Sequence, residues 1–245
     1  MGRGASPLGR RVSLGPQRKK RRAPLDRARV LRAALALADA EGLEALSMRR
    51  LGEALGVEAM SLYNHVAGKD DLLNGLVDLV VAEVGVPDAR SPWKAALRAR
   101  ALASRRVLLR HPWAPGLIEA RVDFGSARLP IFEALIGILR RAGFSIEATY
   151  HALIVLDSFV YGFVLQEVSW VASASAPAQD AGGARPGGPD AGALPYVQEM
   201  WAFVSSRTPA GSNGRASSYE REFEVGLALV LEGLERLLRG QTSKG

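Results

Sequence analysis

The sequence predicts an all-α protein. Apolar residues recur at three- and four-residue spacing along most of its 245 residues. No stretch sustains the alternation of a half-buried strand. Gly42, Gly56, Gly68, Gly85 and Gly143 fall where the periodic stretches end, as helix stop signals do. No internal repeat is visible. With 48% hydrophobic and 23% charged residues the chain is close to the globular average, and its length suits one large domain or two small ones.

The elements follow in order. Leu25, Val30, Leu31, Ala34, Leu35 and Ala38 mark a helix over 25–40, with Pro24 before it and Gly42 after it. Ser47 reads as the N-cap of a helix over 48–55 that Gly56 ends. A short helix over 58–65 follows, then Gly68, then a fourth helix over 69–84. The second half continues with an amphipathic helix over 92–110, a bend at Pro112 and Pro115, and a helix over 128–142. Ser145 caps a long, unusually apolar helix over 146–171. Residues 172–193, rich in Ala, Gly, Pro and Ser, read as a mobile loop. A short helix over 194–204, a weak stretch over 205–217 and a final helix over 218–239 complete the chain.

Charge is unevenly placed. Residues 1–24 carry Arg3, Arg10, Arg11, Arg18, Lys19, Lys20, Arg21 and Arg22 and no acid, so of the net +7 this tail holds eight and the rest sums to −1. Such a tail reads as disordered. It serves either for solubility, if it belongs to the protein at all, or as an arm on DNA phosphates or in a minor groove. It has no apolar core of a secretory signal. The longest apolar run, over 152–165, is broken by Asp157 and shorter than the ~20 residues of a membrane span. A soluble cytoplasmic protein is expected, with no membrane partner. The absence of cysteine excludes disulfides and thiolate metal sites.

Two short helices on either side of Gly56 have the form of a helix-turn-helix, because glycine tolerates the positive φ of a tight reversal. Leu51, Leu55, Val57 and Leu62 have the spacing to pack the pair together. Ala59, Met60, Ser61, Tyr63, Asn64 and His65 are left facing outward. Small residues let such a face approach base edges, while Asn, Ser and His supply hydrogen bonds. Arg49, Arg50 and Lys69 are placed to meet phosphates, and Ser47 brings a hydroxyl or backbone N–H at a helix start. The same spacing occurs in helical proteins that bind no DNA, so it leaves both readings open.

The residues themselves carry more. The segment SMRRLGEALGVEAMSLYNHVAGKDDLL, residues 47–73, resembles the DNA-binding domain of the TetR family of repressors, including Leu62-Tyr63-Asn64-His65-Val66 and the lysine at 69. The resemblance implies an N-terminal three-helix DNA-binding domain over 25–85 that binds double-stranded operator DNA as a homodimer. It assigns Tyr63 and Lys69 to the operator backbone and Ala59, Met60 and His65 to base edges, with Ser47, Met48, Arg49, Ser61 and Asn64 around them. Glu58 belongs there only if it accepts from a cytosine, since phosphates repel a carboxylate. RRVLLR at 105–110, AGFS at 142–145 and GFVL at 162–165 resemble the C-terminal domain of the tetracycline repressor. They imply a helical ligand-binding and dimerising domain over 86–240. The histidine and glutamate that hold drug-bound magnesium there are replaced, near Leu117 and Ile118 and at Gln166, so a small-molecule effector other than tetracycline is expected, with no metal and no cofactor.

Phe223, Leu227, Val230, Leu234, Leu237 and Leu238 form a stripe on the last helix, readable as core or as half of a dimer interface. Asp157, in an apolar helix, needs a partner, either inside the protein or on a ligand. Tyr150, Tyr161, Gln166 and Trp170 share its helix, and His111 and Trp113 join them as candidate pocket residues. Only His65, His111 and His151 are present, and no nucleophile-base or paired-carboxylate spacing supports catalysis. A regulator without an effector and a helical carrier or enzyme are the rival readings.

Overall fold

Helix α1 (Arg27–Glu41) begins where the Asp26 carboxylate accepts the Arg29 backbone N–H at 2.7 Å, satisfying one of the donors that a helix start leaves free. The computed structural model describes residues 24–121, 128–175, 194–207 and 212–242. After α1 come a 3₁₀ turn (Leu43–Ala45), α2 (Met48–Leu55), α3 (Ala59–Leu62), α4 (Lys69–Val84), α5 (Trp93–Arg110) and α6 (Ala114–Glu119). Then follow α7 (Arg128–Arg141), α8 (Ile146–Ser175), α9 (Pro195–Arg207) and α10 (Ser212–Thr242). Among the described residues there is no strand.

Two cores share one helix. Val30, Leu31 and Ala34 of α1, Leu51 and Leu55 of α2, and Leu62 of α3 close around Leu72 and Leu76 of α4. The next turn of α4, Val77 and Val80, belongs to the second core, with Leu97 and Leu108 of α5, Leu135 of α7, Leu156 and Val160 of α8, and Phe223 and Leu227 of α10. Helix α4 is thus a beam with one end in each core, and interiors packed this densely transmit a shift rather than absorb it.

Several boundaries depart from the sequence reading. Helix α6 forms where only a bend was expected, because Pro115 sits in its first turn, where no backbone donor is needed. Helix α3 is shorter than 58–65. Helix α8 continues through 172–175 instead of yielding to a loop, and α10 begins at Ser212 within the weak stretch, since each residue added to an existing helix gains a hydrogen bond without a new nucleus. The basic tail to residue 23 and the rest of the loop, 176–193, lie outside the described residues. Ile146–Trp170, 25 residues that include an 18-residue window of mean hydropathy 1.5, is long and apolar enough to cross a membrane by composition, which the shorter run singled out in the sequence is not. In the fold this helix packs on α5 and α10.

Candidate DNA-binding face and effector cavity

The turn after α2 is built on glycine. Gly56 adopts φ 67°, ψ 40°, the left-handed region, and its N–H closes on the Glu53 carbonyl at 3.1 Å. The chain then returns so closely over α2 that a Cβ on Gly52 would stand 2.9 Å from the Val57 carbonyl oxygen. At the start of α2 the Ser47 hydroxyl accepts the Arg50 N–H at 3.1 Å.

Leu62, fully buried, anchors α3 and turns its other side outward. Met60 is 73% exposed. Tyr63, Asn64 and Glu58 are exposed as well, and Ala59, Ser61 and His65 are half-buried. Tyr63–His65 tighten into a turn in which the His65 N–H reaches the Leu62 carbonyl at 2.9 Å. Lys69 opens α4 with an exposed side chain. Arg49 pairs with Glu53 at 2.9 Å, and Arg50 is drawn to Glu41 at 2.6 Å. Of these three cations, Lys69 alone has no ion pair among the described residues.

A clamp holds this face to α1. Arg27 donates to both oxygens of Asp71 and also to the His65 carbonyl at 3.2 Å, while the Ala67 N–H donates to Asp71 at 2.9 Å. The Arg27 bonds, with the Ala67 N–H next in weight, hold the Asp71 carboxyl at about 2. The segment joining α3 to α4 is therefore fixed by charge-assisted bonds.

In the second half a cavity of about 680 Å³ opens between α4, α5, α6, α7 and α8. Val81, Ile118, Ile131, Phe132 and Leu153 make its apolar wall; Arg100, Glu119, Arg121, Arg128, Thr149, Tyr150, Asp157, Ser158 and Tyr161 are its polar groups. Asp157 accepts from Arg100 at 3.2 Å. Burial foremost, and then the charge of Asp157, push the Tyr161 phenol above its ordinary range, so it stays protonated. Arg121 reaches out of the cavity wall to the first turns of α4, donating to the Asp70 carbonyl at 3.2 Å, the Asp70 carboxylate at 3.1 Å and the Asn74 side chain.

Residues 30–76 match the family described as bacterial regulatory proteins, tetR family, and residues 86–238 match the tetracyclin repressor-like C-terminal domain. The chain belongs to the TetR family. It is 33% identical to the HTH-type transcriptional repressor DrrR1 of Streptomyces coeruleorubidus, over 96% of this chain and 86% of that one. It is 28% identical to the class D tetracycline repressor protein of Escherichia coli, over 89% of each. Among solved structures, the TetR family protein ActR of Streptomyces coelicolor in complex with (S)-DNPA is similar, with TM-score 0.68 and 28% identity over 88% of this chain and 99% of that one. This TetR-family chain is a DNA-binding transcription regulator.

Against that fold, the candidates from the sequence separate. Ser47, Met48, Arg49, Glu58, Ala59, Met60, Ser61, Tyr63, Asn64 and His65 lie on α2, α3 or the segments flanking them, and Lys69 is the first residue of α4. Of the pocket candidates, Tyr150, Asp157 and Tyr161 line the cavity. Asp157 has the internal partner and the cavity position that the sequence offered as alternatives. His111 and Trp113 do not line it. The chain turns at the end of α5, so the buried His111 ring meets Asp39 of α1 at 2.7 Å and Glu83 of α4 at 3.4 Å, and Trp113 donates to Asp39 at 2.8 Å. These two residues fasten the domains together. Gln166 and Trp170, beyond Tyr161 on α8, are exposed and also outside the cavity lining. Arg27 and Arg121 were not singled out in the sequence, because each acts across a separation of more than 40 residues, 44 for Arg27 to Asp71 and 47 for Arg121 to Asn74.

Proposed function

We propose that two copies pair through α8 and α10 and lay their α3 segments in successive major grooves about 34–36 Å apart on a roughly palindromic operator. Exposed Ile154, Val155 and Leu165 on α8 and Val225 and Leu229 on α10 support this face as the interface, and give the membrane-length apolar helix a protein partner. Tyr63 and Lys69 then hold the backbone together with Ser47, Met48 and Arg49. Ala59, Met60, Ser61, Asn64 and His65 read base edges, with Glu58 restricted to a cytosine partner. The protein works in the cytoplasm by binding, not by catalysis.

The observation that carries the control mechanism is Arg121, which lines the cavity and grips Asp70 and Asn74 beside Lys69. A small molecule in the cavity that moves this guanidinium shifts α4 at its DNA-proximal end. His111 and Trp113, fixed to Asp39, carry the same displacement to α1. The operator is released because the effector favours a domain spacing that no longer fits it. The apolar Ile118 in the cavity wall supports an effector other than a magnesium-bound drug.

Thermal-shift screening of the full chain against a metabolite panel, followed by operator-binding titration with each hit, tests this reading. Hits that raise Tm and weaken operator binding are expected. Hits that leave operator affinity unchanged, or uniform silence across the panel, contradict effector control and favour a regulator that acts without a ligand.

A further inference from the structure

We infer that the effector is an organic anion, a mostly apolar molecule whose negatively charged oxygen group is held by Arg128. The inference rests on the effector reading of the cavity and names the class of molecule that fills it.

Arg128 begins α7 and is only 8% exposed, yet among the described residues its guanidinium makes no ion pair and its Nε no hydrogen bond. Asp78 on α4 is near enough to feel its charge but forms no ion pair with it. An arginine does not escape burial by losing its proton. A buried charge with no ion pair among the described residues is costly and calls for a counter-ion. The other two arginines of the wall differ, since Arg100 has Asp157 and Arg121 has Asp70.

A second observation points the same way. The Nε atoms of Arg100 and Arg121 and the Oγ1 of Thr149, itself 1% exposed, also lack hydrogen-bond partners among the described residues. All belong to residues lining the one cavity. Arg100, Arg128, Thr149 and the protonated Tyr161 phenol form the polar side of this wall, which suits a ligand rich in acceptor oxygens. The planar guanidinium fork matches a carboxylate or similar group. Ile118, Ile131, Phe132 and Leu153 fix the character of the remainder, and the volume of about 680 Å³ lies in the range of pockets for drug-sized molecules. Of the two carboxylates in the lining, Asp157 is paired with Arg100 and Glu119 is exposed, which leaves Arg128 as the charge that a ligand would answer.

The test is a fluorescence titration of the full chain with anthracene-2-carboxylate and with anthracene-2-carboxamide, which share their rings and differ in charge. The carboxylate is expected to bind about tenfold tighter, as a charge-assisted bond provides. Arg128→Gln should erase that preference while leaving carboxamide affinity unchanged, and Arg128→Lys should keep part of it. Leu153→Trp, which fills the cavity, should remove the binding of both. Equal affinity of the wild-type chain for the two probes, or a preference that survives Arg128→Gln, overturns the anion inference and leaves the cavity reading standing. No binding of either probe to the wild-type chain, or binding that survives Leu153→Trp, overturns the cavity reading and this inference with it.

Discussion

Arg27 and Asp71 are joined by two parallel hydrogen bonds, each 2.6 Å long, between the first turn of α1 and the first turn of α4. The pair sets the segment carrying His65 and Lys69 against the rest of the DNA-binding domain. Asp71→Asn should lower stability by about 1 kcal/mol at neutral pH, a modest value because the pair is partly open to water. The carboxyl is held at about 2, below its unfolded value, so its contribution is present above the unfolded pKa and fades as pH falls from about 4 towards 2. Denaturant titrations of both proteins at neutral and acid pH should show the gap closing on the acid side. A gap that widens in acid would contradict the assignment.

Lys69 and Met60 should separate affinity from preference. Lys69→Ala removes an exposed cation at the start of α4 and should weaken binding to every duplex, making the slope of log K against log salt shallower by about one unit. Met60→Ala, on the exposed side of α3, should change which bases are chosen at one or two positions and leave the salt slope as it was.

Arg121→Ala should uncouple the two ends of α4. The guanidinium no longer ties the cavity to Asp70 and Asn74, so a ligand still binds but changes operator affinity far less than in the wild-type chain. Calorimetry for the ligand and anisotropy for the operator read the two effects separately.

The Arg105–Glu167 pair tests the second core. Both side chains are nearly buried, with Glu167 at 7% exposure, and the two bonds between them measure 2.9 and 2.7 Å. The Arg105 guanidinium also lies 5.3 Å from the centre of the Phe223 ring. Glu167→Ala strands that cation in the interior and should cost about 3–5 kcal/mol. Thermal or denaturant unfolding measures it, and a loss below about 1 kcal/mol would mean that water reaches the site.

Local chemistry made much of the fold legible. Ser47 and Gly56 bound α2 as a cap and a left-handed stop must, and α4 runs from Lys69 to Val84 as its pattern predicts. Helix α6 escaped notice because Pro115 reads as a breaker until it is placed in a first turn. His111 and Trp113 have the composition of a pocket and the position of a hinge, and only their bonds to Asp39 of α1 and Glu83 of α4 distinguish the two. Arg27–Asp71, Arg105–Glu167 and Arg121–Asp70 leave no trace in a one-dimensional pattern, since nothing in periodicity relates residues so far apart.

The central claim, a paired set of α3 segments reading DNA, is tested most directly by selecting bound sequences from a random duplex pool with the full-length protein at near-physiological salt. A palindromic consensus with half-sites about one helical turn apart is expected. Failure of the folded protein to enrich any sequence would contradict the account and return the helical carrier or enzyme to first place.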